Sequence, residues 1–161
     1  MPTPEVYPFA SIESDDGRGS FPSWIRGLRK RSGVYIIREI ESRAIWYVGE
    51  SSSDRLYSTL TRHFQAWTNK YETAGATYDR EDIEVAVIIV PKAHARYLQN
   101  ELICILDPED NRLKCDQLFD DGDPETSKPP RGYDYDVDLL LEGIVYQWTD
   151  DDHDDLADVP F

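Results

Sequence analysis

Two short runs of β-branched and aromatic residues, at positions 34–39 and 44–49, place the strongest constraint on how this chain can fold. Each run has the length and composition of a β-strand. Only a short polar stretch, with Glu41, Ser42 and Arg43, separates them, and such a stretch suits a tight turn. The pattern therefore predicts a β-hairpin.

Helical and strand patterns alternate after the hairpin. Apolar residues recur every three or four positions over residues 54–68, which predicts a helix. Residues 83–90 are almost entirely apolar, and they predict a buried third strand that ends at Pro91. A second helix is predicted over residues 93–106, since the apolar period returns there and Pro108 stops it.

The order strand, strand, helix, strand, helix predicts an α/β (α+β) fold, with a small, mostly antiparallel three-stranded sheet flanked by helices. Residues 1–19 show no period and are expected to form a loose leader. The folded domain is expected over residues 20–115. An acidic C-terminal extension is expected over residues 116–161, with a helix at 136–148 where apolar residues recur at helical spacing.

Charge is distributed unevenly along the chain. The formal net charge is −15, but residues 1–115 carry 15 basic and 17 acidic side chains, whereas residues 116–161 carry 2 and 15. Three interpretations of the acidic extension stay open: a solubilising tail, a self-inhibitory segment that competes with phosphate, and an arm that binds a protein partner. The nearly neutral first part is compatible with binding a polyanion.

Two tripeptides lie on the predicted hairpin, Gly33-Val34-Tyr35 and Tyr47-Val48-Gly49, and their tyrosines are 12 positions apart. Together they resemble the two halves of the GIY-YIG nuclease motif. An Arg- and His-bearing helix, a Glu on the second helix and an Asn after it follow in the family's order, so that the resemblance covers residues 32–113. It implies the GIY-YIG nuclease fold.

The resemblance implies roles for the two tyrosines and for Glu101. Glu101 would bind one Mg²⁺ or Mn²⁺ ion, because carboxylate oxygens are ligands that these hard cations prefer. Tyr35 would act as the general base and Tyr47 would assist it. A free phenol has a pKa near ~10, so the pKa of Tyr35 would have to fall by about 3 units, which requires roughly 4 kcal/mol.

The arginine departs from the usual family pattern, because Thr59 occupies the position four residues before His63. Arg55, at the start of the helix, is expected to bind phosphate instead, and Arg62 is the second candidate. His63 is expected to contact the scissile phosphate or to transfer a proton. Asn111 matches the family's Asn and is expected to hold the active site or the phosphate.

The densest positive cluster lies in a predicted helix that follows Ser20 and Pro22. It is either a solvated helix face or a patch that contacts nucleic-acid phosphates. Its members are Arg26, Arg29, Lys30 and Arg31.

Location and redox state are expected from simple features. Two cysteines imply no disulfide framework, and a reducing cytoplasm is the expected compartment. No apolar run approaches the roughly 20 residues of a membrane-spanning helix. The Pro-containing, acidic start resembles neither a signal nor a transit peptide.

These features predict a metal-dependent endonuclease that hydrolyses DNA phosphodiester bonds, with RNA as a second candidate substrate. Sequence or structure specificity would come from loops, from dimerisation or from a protein partner, and the sequence does not decide the oligomeric state. The alternative is a catalytically inactive module of the same fold that binds nucleic acid or regulates a partner. The acidic balance and the displaced arginine favour that alternative.

Overall fold

A computed structural model of the chain describes residues 3–14, 19–65, 67–68, 73–74, 76–118 and 128–146. Its main sheet has four antiparallel strands, in the spatial order β1 (Glu5–Ser11), β6 (Ile83–Ile89), β2 (Gly33–Glu39) and β3 (Ile45–Ser51). β4 (Trp67–Thr68) and β5 (Thr73–Ala74) form a small separate ladder. The predicted α+β class and the predicted hairpin are confirmed.

The prediction of three strands was wrong, because the leader supplies a fourth. β1 lies within residues 1–19 and pairs with the edge of β6 that β2 leaves free. Its register shifts between Tyr7 and Ala10, around Pro8. Proline interrupts a strand pattern and is confined to edges and irregularities, so β1 is recognisable only from its pairing.

The helices lie on both faces of the sheet. α2 is shorter than predicted and continues as a 3₁₀ helix, and only one turn forms in the basic segment. Their bounds are α1 (Ser23–Arg26), α2 (Leu56–Thr61), the 3₁₀ helix (Arg62–Phe64), α3 (Lys92–Leu106), α4 (Cys115–Leu118) and α5 (Val137–Tyr146).

Alternate residues of the central strands supply two hydrophobic cores. Val34 and Ile36 of β2 pack with α3 and α5, whereas Tyr35 and Ile37 pack with α1, α2 and the 3₁₀ helix. β2 and β6 are therefore apolar along nearly their whole length, as strands covered on both faces are.

Part of the predicted extension belongs to this folded unit. α5 lies within the predicted helix at 136–148, of which residues 147–148 are outside the described part, and it packs against β1. Val137 and Ile144 are buried in the core that α3 shares. Residues 128–146 thus complete the domain, because they cover the apolar sheet face that α3 leaves open.

A disulfide joins Cys104, near the end of α3, to Cys115, at the start of α4, with their Cα atoms 4.7 Å apart. The expectation of unpaired cysteines was therefore wrong. The two residues are 11 positions apart in the sequence and meet because the chain reverses after α3. Among the described residues, no helix is long and apolar enough to cross a lipid bilayer.

Candidate active site

The glycines of the two tripeptides lie where the backbone of one strand has no room for a side chain. A Cβ atom on Gly33 would lie 2.2 Å from the carbonyl oxygen of Ile88 in β6. One on Gly49 would lie 2.3 Å from the hydroxyl oxygen of Tyr35, which crosses directly over it from the neighbouring strand. Gly49 therefore allows the Tyr35 ring to reach across β3.

Tyr35, Tyr47 and His63 form one group, which we call the tyrosine–histidine cluster. The Tyr35 hydroxyl oxygen lies 2.8 Å from Nε2 of His63, at hydrogen-bond distance. The Tyr47 ring lies 4.7 Å from the His63 ring and 6.0 Å from the Tyr35 ring, between centroids. The 3₁₀ helix that extends α2 brings His63 to the two strands.

Burial sets the protonation states of the cluster. It raises the pKa of Tyr35, only 1% exposed, well above its ordinary value of 10.0, with Tyr47 as the second cause. Burial also raises the pKa of Tyr47, although interaction with the Tyr35 hydroxyl lowers it. Burial first, and then the charge of Arg62, lowers the pKa of His63 below its ordinary value of 6.5. At neutral pH both phenols and the imidazole are therefore uncharged.

The loop after α3 holds the outer edge of β3, beside Tyr47. The backbone N–H groups of Glu109 and Asp110 donate to the carbonyl oxygens of Ile45 and Trp46, at 3.2 and 2.8 Å. Asn111 is buried, and its amide bonds both backbone groups of Val48. Asn111 thus holds the strand that carries Tyr47, the first of the two roles predicted for it.

A cavity of about 740 Å³ opens next to Tyr47, between β3, α3 and the loop after α3. We call it the edge cavity. Among its lining residues are Glu50 of β3, Arg96 and Asn100 of α3, and Arg112 of the loop. Lys128 also lines it, so that this cavity is locally basic although the chain as a whole is acidic.

Glu101, the predicted metal ligand, points elsewhere. Its charge acts on Tyr97 and Tyr133, and it does not line the edge cavity, whereas the preceding residue, Asn100, does. One residue along an α-helix rotates a side chain by about 100°. The structure therefore does not bring Glu101 together with the tyrosine–histidine cluster.

The two candidate arginines are both exposed. Arg62 lies close enough to His63 for its charge to lower the histidine's pKa. Arg55 precedes α2, where its backbone N–H donates to the Ser51 hydroxyl at 2.9 Å. The geometry thus associates Arg62, the second candidate, with the cluster more directly than Arg55.

The basic segment is partly engaged within the protein. The Arg29 guanidinium lies 4.6 Å from the centroid of the Tyr57 ring, and Arg31 forms an ion pair of 2.9 Å with Glu5. Arg26 and Lys30 are exposed. Contact of these residues with phosphate stays a prediction.

Sequence reasoning missed Glu50, Arg96, Asn100 and Arg112. A signal for three of them was available. Glu50 directly follows the second tripeptide, and Arg96 and Asn100 are four positions apart, hence on one face of α3. Arg112 gave none, because only the folded loop turns it to the cavity.

The cavity has the donors that a single hard cation needs. One carboxylate oxygen of Glu50, Oε2, is buried without a hydrogen-bond partner. Among the described residues, no three His, Cys, Asp or Glu side chains converge, so a multi-carboxylate cage is not formed there. Mg²⁺ usually keeps several waters and binds through one or two carboxylates, a requirement that Glu50 fits.

No family model, curated protein or solved structure matches the chain.

Proposed function

We propose that the protein is a metal-dependent endonuclease of GIY-YIG type, which hydrolyses DNA phosphodiester bonds with one Mg²⁺ or Mn²⁺ ion. The observation that carries the proposal is the 2.8 Å contact between the Tyr35 hydroxyl and Nε2 of His63, next to Tyr47. A hydroxyl paired with a neutral imidazole is a recurrent device for moving a proton during hydrolysis.

The proton route differs from the one that the resemblance implies. Burial raises the pKa of Tyr35, so a free phenolate is a poor candidate for the base. His63 is neutral and able to accept the Tyr35 proton at Nε2 when Nδ1 carries its hydrogen. As water attacks phosphorus, its proton passes to the Tyr35 oxygen and the tyrosine proton passes to His63. The P–O bond to the leaving oxygen breaks, and that oxygen takes a proton from solvent.

Phosphate binding is assigned to the basic groups around the cluster. Arg62 lies beside His63, while Arg96 and Arg112 line the edge cavity next to Tyr47. Guanidinium groups bind phosphate oxygens with two parallel hydrogen bonds, which also orient the group. A bound divalent ion would neutralise charge that develops on the phosphoryl oxygens.

Cleavage of supercoiled plasmid and of end-labelled duplex, branched and single-stranded oligonucleotides tests the proposal, with Mg²⁺, Mn²⁺ or EDTA. Tyr35→Phe is expected to lower the cleavage rate by about 10²- to 10⁴-fold, since it removes the relay hydroxyl. Tyr7→Phe is the matched control, because Tyr7 lies on β1 at the opposite edge of the sheet. Equal rates for wild type and Tyr35→Phe would exclude the relay.

One observation favours the second candidate, a catalytically inactive nucleic-acid-binding or regulatory module. Glu101 faces Tyr133 instead of the edge cavity, so the expected metal ligand is not at the site. Salt-dependent DNA binding in EDTA, without cleavage of any substrate in Mg²⁺ or Mn²⁺, would make this the correct function.

A further inference from the structure

We propose that Glu50 and Asn100, and not Glu101, are the protein ligands of the divalent cation. The inference rests on the proposed function for the role of the ion, and it assigns the site to two residues that face the edge cavity from different elements. It predicts binding of a metal ion that can be measured without any cleavage.

Glu50 has a carboxylate group that the protein does not satisfy. Its Oε2 atom is buried and has no hydrogen-bond partner. An unpaired buried carboxylate oxygen is costly, and native proteins rarely keep one without a purpose. The cost is removed if a cation occupies the adjoining space in the cavity.

Glu50 is also the carboxylate nearest in effect to the catalytic groups. Its charge acts on Tyr35 and on Tyr47, whereas the charge of Glu101 acts on Tyr97 and Tyr133. A cation held by Glu50 would therefore lie next to the tyrosine–histidine cluster. One held by Glu101 would lie on another side of α3.

Asn100 offers the second oxygen. It is 5% exposed and lines the cavity, and within the described part of the chain its amide makes no hydrogen bond. The adjacent Gln99 donates a hydrogen bond of 3.4 Å to the carbonyl oxygen of Val48, which joins this turn of α3 to β3 two residues before Glu50. Carboxylate and amide oxygens are hard donors that suit Mg²⁺ and Mn²⁺.

The surroundings suit an ion that bridges to phosphate. Arg96 and Arg112 line the same cavity, and the charge of Arg96 acts on Glu50. A site with one carboxylate, one amide and two guanidinium groups leaves a bound cation with coordination positions for water and for phosphate oxygens.

Calorimetric titration of the full chain with Mn²⁺, in the absence of nucleic acid, tests the assignment. Glu50→Gln keeps the shape of the side chain and removes its charge, and we expect it to weaken Mn²⁺ affinity at least tenfold. Asn100→Asp adds a second carboxylate, and we expect it to strengthen affinity at least fivefold. Glu41→Gln, an exposed residue between β2 and β3, is the matched control with unchanged affinity.

The possible results separate clearly. Lost affinity in Glu101→Gln with retained affinity in Glu50→Gln would reverse the assignment. Wild-type protein that binds no Mn²⁺ at millimolar concentration, or an Asn100→Asp variant with unchanged affinity, would also overturn it. Circular dichroism of each variant verifies folding, and the expected gain in Asn100→Asp cannot come from misfolding. Binding at Glu50 without DNA cleavage would keep this inference and reject the nuclease.

Discussion

The side-chain amide of Asn111 closes a ring of two hydrogen bonds with the backbone of Val48. Oδ1 accepts from the Val48 N–H at 2.9 Å, and Nδ2 donates to the Val48 carbonyl oxygen at 2.8 Å. β3 is an edge strand, so these groups have no neighbouring strand to pair with. One asparagine thus takes the place of a strand beside Tyr47.

Asn111→Ala removes both bonds and leaves the two backbone groups of Val48 unpaired. We expect the free energy of unfolding to fall by about 2–4 kcal/mol, since each unpaired buried group costs about 1–3 kcal/mol. Urea denaturation measures the change. Glu109→Ala, an exposed position in the same loop, serves as the control and should change stability by less than about 0.5 kcal/mol. A similarly small change in Asn111→Ala would contradict the role assigned to this amide.

Gly49→Ala places a methyl group 2.2 Å from Cζ of Tyr35, so the ring must leave its position. We expect a loss of about 2 kcal/mol or more, and a change in the near-ultraviolet circular dichroism of the tyrosines. Gly27→Ala is the matched control, because its methyl group would meet ordinary contacts of 3.6 Å. Equal stability of the two variants would show that Tyr35 does not cross over Gly49.

Reduction of the Cys104–Cys115 disulfide frees a loop closed across 11 positions, the loop that covers β3. Chain-entropy arguments give about 3 kcal/mol for a loop of this size. We expect thermal unfolding at a lower temperature in reductant than without it. The double variant Cys104→Ala with Cys115→Ala should unfold at the lower temperature in both conditions. A wild-type transition that ignores reductant would mean that the bridge does not stabilise the fold.

The low pKa of His63 predicts a pH dependence of stability. Because burial lowers the pKa in the folded state below 6.5, the unfolded state takes up this proton first as the pH falls. The contribution is complete above pH 6.5 and is lost as the pH falls toward the folded-state value. Urea unfolding from about pH 7.5 to about pH 5 should therefore show a steeper loss for wild type than for His63→Gln. Parallel curves for the two proteins would exclude a buried, neutral His63.

Much of the fold follows from local patterns. The hairpin was predictable because its two strands are adjacent in the sequence, and α3 because its apolar period and its flanking prolines mark both ends. β1 was not, because its strand pattern is broken at Pro8 and depends on a partner, β6, more than 70 positions away. The disulfide depended on the chain reversal between α3 and α4.

The candidate site was only partly predictable, and the reason is helix phase. Tyr35 and Tyr47 lie on paired strands, so their nearness follows from the hairpin, and His63 follows from the length of the helix after it. Which of Asn100 and Glu101 faces the cavity depends on how α3 is rotated against β3. Packing of the whole apolar face fixes that rotation, and a sequence motif does not measure it.

The sequence by itself determined the antiparallel hairpin, the tyrosine pair and the glycines between the packed strands, because these depend on contacts between near neighbours in the chain. Only the tertiary structure decided that residues 128–146 complete the core, that Asn111 caps the edge of β3, and that Glu50 faces the edge cavity. Those features join elements distant in the sequence. Their positions are set by burial of apolar surface over the whole domain.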